Sequence, residues 1–141
     1  KIPVRLYVDS AARLALKDPD IMLIGCDAIT VEGQVINKIG SEMFAEIARS
    51  YSVPVYVCTN SWKFDPDTVF GFDEEIERRG TKEVWKTPPK GLEIDNYAFE
   101  KVRPDLITGI ISELGVFPPE VFIVLLYMAI PSIIPAAIIN I

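Results

Sequence analysis

The chain has 141 residues, half of them hydrophobic and 24% charged, with a formal net charge of -6 and no histidine. That size and composition indicate one globular domain and exclude a disordered chain, and the acidic balance argues against a nucleic-acid-binding surface, which needs an excess of Lys and Arg. Cys26 and Cys58 make neither a zinc cage nor a disulfide framework, so no metal is expected, and acid-base chemistry falls to carboxylates, lysines, tyrosines or thiols.

Taken in order, the chain enters directly on a strand pattern with no secretory leader, so a cytoplasmic protein is expected. Val4, Leu6 and Val8 alternate with Arg5 and Tyr7, which predicts a strand over Pro3 to Val8. Asp9-Ser10 offers an N-cap for a helix from Ala11 to Lys17, closed by Asp18-Pro19-Asp20. Ile21-Met22-Leu23-Ile24 is a continuous apolar run, the pattern of a strand buried on both faces of a parallel sheet.

The stretch from Gly25 to Gly40 organises the rest. Gly25 ends the strand, and Asp27 falls just past its carboxyl end, where open parallel α/β sheets bind their ligands. Gly33 supplies a turn, and Asn37-Lys38 fall where the next helix is predicted to begin, with Met43, Phe44, Ile47 and Ala48 as its apolar face. A helix start attracts anions and a lysine there adds a full charge. One carboxylate facing one cationic anion site suits a phosphorylated, hydroxyl-bearing ligand.

That helix ends near Ser50, and Ser52 to Cys58 reads as a further strand, so strands alternate with helical stretches as in βαβ crossovers. Between Thr59 and Val102 regularity lapses. Asn60 and Lys63 leave the strand's carboxyl end on the same edge of the sheet as Asp27, where Lys63 reads as a solvated lysine or as part of the site. The run Asp73 to Arg79 reads as a solvated helix face. Pro104 opens a short turn, Gly109 to Ser112 is a strand with Glu113 at its end, and Pro118-Pro119-Glu120 starts a helix predicted over Val121 to Ala129. Val121 to Ile139 carries a single polar residue, Ser132, but Pro131 and Pro135 break it, so a buried or interface helix is expected ahead of a membrane span.

Val8-Asp9-Ser10-Ala11-Ala12, Gly25-Cys26-Asp27-Ala28-Ile29, the segment Glu32 to Gly40 with its Asn37-Lys38-Ile39-Gly40, Pro54-Val55-Tyr56-Val57, Lys63-Phe64 and Ile111 to Val116 together resemble the translation initiation factor 2B alpha/beta/delta family. That family also contains the ribose-1,5-bisphosphate isomerases and methylthioribose-1-phosphate isomerases. The resemblance implies an α/β fold, a Rossmann-like parallel sheet flanked by helices, over residues 1–128, with 129–141 an apolar tail of unmatched character. It implies a fragment lacking the first strands and the helical amino-terminal domain, and a homo-oligomer, specifically a dimer through the Rossmann-like halves.

The resemblance further implies a sugar phosphate or nucleoside monophosphate ligand held by Asn37, Lys38 and Lys63, with no cofactor. Asp27 matches the position of the isomerases' catalytic aspartate, which helps open the furanose ring and works with a cysteine thiol. That cysteine lies upstream of residue 1, and Cys26 and Cys58 are expected to be buried structural thiols. Two readings stay open beside a purely structural one. The chain is part of an aldose-ketose isomerase acting on a pentose 1-phosphate such as ribose 1,5-bisphosphate, or it is a non-catalytic regulatory subunit that binds such phosphates and assembles with translation initiation factor 2 or its own kind.

Overall fold

In the computed structural model, which describes residues 1–73 and 75–133, two sheets pack around one core. The larger has four strands in the order β1 (Met22–Ile24), β4 (Val55–Cys58), β6 (Gly109–Ser112), β7 (Gly115–Phe117). β1, β4 and β6 run parallel, and β7 turns back antiparallel on β6. Register pairs Met22 with Val55 and Ile24 with Val57, then Val57 with Ile110 and Ile110 with Phe117. Strand side chains alternate, so these residues share one face, the face that joins the core with Ala45 and Ala48 of α2 (Ser41–Ser50) and Phe122, Ile123 and Leu126 of α4 (Pro119–Ile133).

The opposite face carries Leu23, Cys58 and Val116 exposed, Leu23 at 57%. Ile21 to Ile24 is therefore not buried on both faces as its composition suggested. An unbroken apolar run reports hydrophobicity, whereas burial on a second face depends on a second layer.

A second sheet was not expected. β2 (Ala28–Ile29), β3 (Val35–Lys38) and β5 (Phe99–Val102) form an antiparallel sheet in that order, with Ile29, Val35 and Val102 fully buried in the common core. Five residues containing Gly33 join β2 to β3, and Gly33 takes φ +77°, a conformation open to glycine. This is a hairpin signal that the longer Gly25 to Gly40 reading obscured. β3 occupies Asn37 and Lys38, so the helix expected at those residues begins only at Ser41, after Gly40 at φ +100°.

Other local expectations are corrected. Pro3 to Val8 forms no strand, and Leu6 is 97% exposed. Alternation supplies a pattern, but ladder hydrogen bonds must come from a neighbouring strand. The helix over Ala11 to Lys17 is shorter, a 3-10 turn Asp9–Ala11 followed by α1 (Ala12–Ala15), with no side-chain cap. Glu75 to Arg79 is extended: Arg79 donates to the Asn96 carbonyl at 2.8 Å and Ala98 to the Glu77 carbonyl at 2.9 Å, so backbone pairing replaces the expected helix. α3 is the short Thr81–Val84.

Within α2 the buried positions are Ser41, Ala45 and Ala48, and Met43 is exposed. α4 runs past Ala129 to Ile133 with Pro131 inside it, and residues 134–141 of the apolar tail lie outside the described residues. Among the described residues no helix is long and apolar enough to cross a membrane.

Candidate functional site

The carboxyl ends of β1, β4 and β6 deliver three loops to one edge of the larger sheet. The first carries Gly25, Cys26 and Asp27. Asp27 is exposed, and its backbone N–H donates to the Ile36 carbonyl at 2.8 Å, which ties the end of β1 to β3. Its side chain lines a cleft of about 180 Å³ with Ala28, Ile36, Glu75, Glu77 and Phe99. Sequence reading missed Glu77 and Phe99, because they reach Asp27 only through the pairing of the 77–79 segment with 96–98 and of β5 with β3.

Asn37 and Lys38 are consecutive in β3, so the strand period sends them to opposite faces. Asn37 is half-buried. Its amide Nδ2 donates to Ser41 Oγ at 2.9 Å, and Ser41 Oγ donates to the Lys38 carbonyl at 2.6 Å, a relay that fixes the corner between β3 and α2. A methyl added at Gly25 would lie 3.7 Å from Asn37 Oδ1, so the side chain of Asn37 stands beside the first loop.

Lys38 turns the other way. Its ammonium sits 5.0 Å from the centroid of the Phe99 ring, its register partner on β5, and is exposed. Since Phe99 also lines the Asp27 cleft, the ring joins the cation to the carboxylate cleft.

The α2 N-terminus, expected to receive an anion from a ligand, already holds one. Glu100 Oε1 accepts from the backbone N–H of Glu42 at 2.9 Å. Glu100 thereby takes up one of the donors at this helix start.

Lys63 lies in the second loop, in a 3-10 turn over Ser61–Lys63. Asn60 caps the turn by accepting from Trp62 N at 3.1 Å, and Glu113, at the end of β6, braces it by accepting from Ser61 N at 3.0 and 3.2 Å. The Ser61 hydroxyl and backbone N–H hold the Glu113 carboxyl below the usual range. Trp62, 83% exposed, is presented on this anchored turn.

Lys63 is close enough to Cys26 to act on its thiol electrostatically, as is Asp27 with the opposite sign. Burial dominates there and pushes the Cys26 thiol up to about 11, against the opposing Thr59 hydrogen bond and Lys63 charge. The thiol donates to the Ala28 carbonyl at 3.2 Å, as expected of a structural cysteine. Cys58 departs from that expectation and is exposed, because it ends β4 on the uncovered face. Among the described residues no group of three or more Cys, Asp or Glu side chains could hold a metal ion.

Asn37 and Lys63 thus lie beside the loop that carries Asp27 from the end of β1, whereas Lys38 lies on the other face of β3, over the Phe99 wall of the acidic cleft. Residues 1–119 match the family model described as the initiation factor 2 subunit family. The ribose 1,5-bisphosphate isomerase of Haloterrigena turkmenica is 39% identical over 137 residues, covering 89% of this chain and 42% of that protein. The ribose 1,5-bisphosphate isomerase of Thermococcus kodakarensis is 42% identical over 123 residues, covering 84% of this chain and 38% of that protein.

The crystal structure of 5-methylthioribose 1-phosphate isomerase from Pyrococcus horikoshii OT3 superposes with a TM-score of 0.76 at 27% identity, over 91% of this chain and 38% of that one. The delta subunit of translation initiation factor eIF-2B from A. fulgidus superposes at 0.73 with 29% identity, over 84% and 36%. The chain therefore spans about two fifths of the curated relatives it matches.

Proposed function

The chain belongs to the initiation factor 2 subunit family, and we propose that it supplies the sugar-phosphate site of an aldose-ketose isomerase acting on a pentose 1-phosphate, with ribose 1,5-bisphosphate as the ligand. The observation that carries this reading is the shared use of Phe99, which lies under the Lys38 ammonium and forms a wall of the Asp27 cleft. A phosphate held by Lys38 thereby places the attached sugar against Asp27.

Charge sets the direction. Glu75 and Glu77 line the cleft with Asp27 and repel phosphate, while carboxylates accept hydrogen bonds from sugar hydroxyls. Phosphates go to Lys38 and Lys63 and the hydroxyl-bearing ring goes into the cleft. Asp27 gives a proton to the ring oxygen and recovers it later as general acid and base. Asn37, held by Ser41, orients hydroxyl groups, and Lys38 and Lys63 neutralise phosphate. The four residues act in a homo-oligomer of longer chains.

Titration calorimetry with ribose 1,5-bisphosphate tests binding: the wild-type chain gives a saturable heat that Lys38→Ala removes. Turnover is tested by joining the chain to the amino-terminal portion of an isomerase relative, where Asp27→Asn abolishes isomerisation while binding persists. Full turnover in that variant would overturn the assignment of Asp27. Binding without turnover in the joined wild-type protein would favour the second reading, a ligand-sensing subunit, to which the likeness to the initiation factor subunit lends weight.

A further inference from the structure

A larger cavity lies on the outer face of the small sheet, apart from the Asp27 cleft. It measures about 370 Å³ and is walled by the β2–β3 turn (Thr30, Glu32, Gln34), by Thr68, by the loop Gly71 to Asp73, and by Lys101 of β5. Ile36 and Lys101 are register partners on this face. Ile36 lines the Asp27 cleft and Lys101 lines the larger cavity, so this pair separates the two.

Lys101 is withdrawn, with 25% of its side chain exposed, and its ammonium pairs with Asp73, whose side chain is 86% exposed. The cation is fixed by a strand, and its counter-ion is held by a surface loop that turns at Gly71, φ +84°. Ion pairs with an exposed partner contribute little, because water and salt solvate that partner almost as well. An incoming anion therefore removes Asp73 at small cost and leaves the lysine charge compensated.

The remaining walls describe the rest of the ligand. Phe72, next to Asp73, is 68% exposed at the rim and offers a flat apolar face unused by the core. Gln34 offers an amide, and the exposed Glu32 carboxylate offers an acceptor for a hydroxyl group while opposing a second anionic group at its own end. A cation at one end, an aromatic face at the rim and polar groups between them fit a small organic anion with one charged head and one flat apolar part.

We infer that this cavity is a second ligand site, for a small organic phosphate bearing a flat apolar group, in which the phosphate displaces Asp73 from Lys101 and the flat group stacks on Phe72. The site needs nothing from Asp27, Lys38 or Lys63.

Amide NMR of the chain titrated with phenyl phosphate tests it, with inorganic phosphate as the head group alone. Saturable shifts centred on Thr30 to Gln34 and Gly71 to Asp73 are expected, with inorganic phosphate several-fold weaker. Lys101→Met removes binding and Lys101→Arg retains it, the spectrum itself reporting that each variant is folded. Asp73→Asn removes the internal competitor and tightens binding about two- to fivefold, the range that a surface ion pair permits. Phe72→Ala brings phenyl phosphate down to the affinity of inorganic phosphate, and Lys38→Ala changes neither.

Absence of saturable shifts, shifts confined to the surroundings of Lys38 and Lys63, or unchanged affinity in Lys101→Met would overturn the site. Unchanged or weaker binding in Asp73→Asn would overturn the displacement of Asp73, and equal affinity for the two probes would overturn the role of Phe72.

Discussion

The carboxylate of Glu100, on β5, accepts a 2.9 Å hydrogen bond from the backbone N–H of Glu42 in the first turn of α2, 58 residues earlier in the chain. A strand of the small sheet thus caps the helix that covers the large one. Gly40, at the N-cap position, has no side chain to do so, and the distant carboxylate satisfies one of the orphan donors.

Removing that cap has a defined cost. Glu100→Ala is expected to destabilise the chain by about 1 kcal/mol, the usual loss for a helix cap, and Glu100→Gln by less because its amide oxygen still accepts. Urea denaturation of the three proteins measures the order. Equal stabilities would mean that water caps α2 as well as Glu100 does.

The two thiols should differ in reactivity. Cys26 is half-buried with its thiol held protonated to about pH 11, whereas Cys58 is exposed. At pH 8 a thiol-reactive chromophore should label one cysteine rapidly and the other slowly, and Cys58→Ser should abolish the fast phase.

The same shift links stability to pH. The folded value of Cys26 is raised from 9.0 to about 11, so the unfolded chain loses its proton first as pH rises. This contribution is fully present below pH 9 and disappears between pH 9 and 11, a loss of about 3 kcal/mol that Cys26→Ser should remove from the pH profile.

At the acid end the brace on the Trp62 turn should fail. Ser61 holds the Glu113 carboxyl low, so the brace is intact above the ordinary carboxylate value and is lost as pH falls through the lowered one. With Trp85→Phe leaving Trp62 as the only indole, fluorescence anisotropy should fall on acidification. Glu113→Gln should weaken the brace at neutral pH, giving part of that fall, since an amide oxygen accepts less strongly than a carboxylate.

α4 should prove indispensable along one face and tolerant along another. Phe122 is fully buried in the common core, and Val124, two positions on, is exposed. Phe122→Ala is expected to cost about 3 to 5 kcal/mol from lost burial and the cavity left behind. Val124→Ala should stay within about 0.5 kcal/mol, as surface changes do. Thermal unfolding of both variants measures the contrast.

The sequence by itself determined the parallel strands at Met22–Ile24, Val55–Cys58 and Gly109–Ser112, because a short apolar run bounded by turn residues has few other uses. It also marked Asp27, since the carboxyl end of a parallel strand can be found by counting, and it grouped Asn37, Lys38 and Lys63 through motif context. Tertiary structure decided what those residues face. Asn37 and Lys38 lie on opposite sides of β3 because a strand rather than a helix runs through them, and that strand persists because Phe99–Val102 pairs with it from more than sixty residues away. Phe99 and Glu100 acquire their places by that same long-range pairing and Glu77 by the pairing of 77–79 with 96–98, and no local pattern records either. Hydrophobic periodicity reports which side chains avoid water, whereas ladder partners and ion-pair partners are fixed only when distant segments meet.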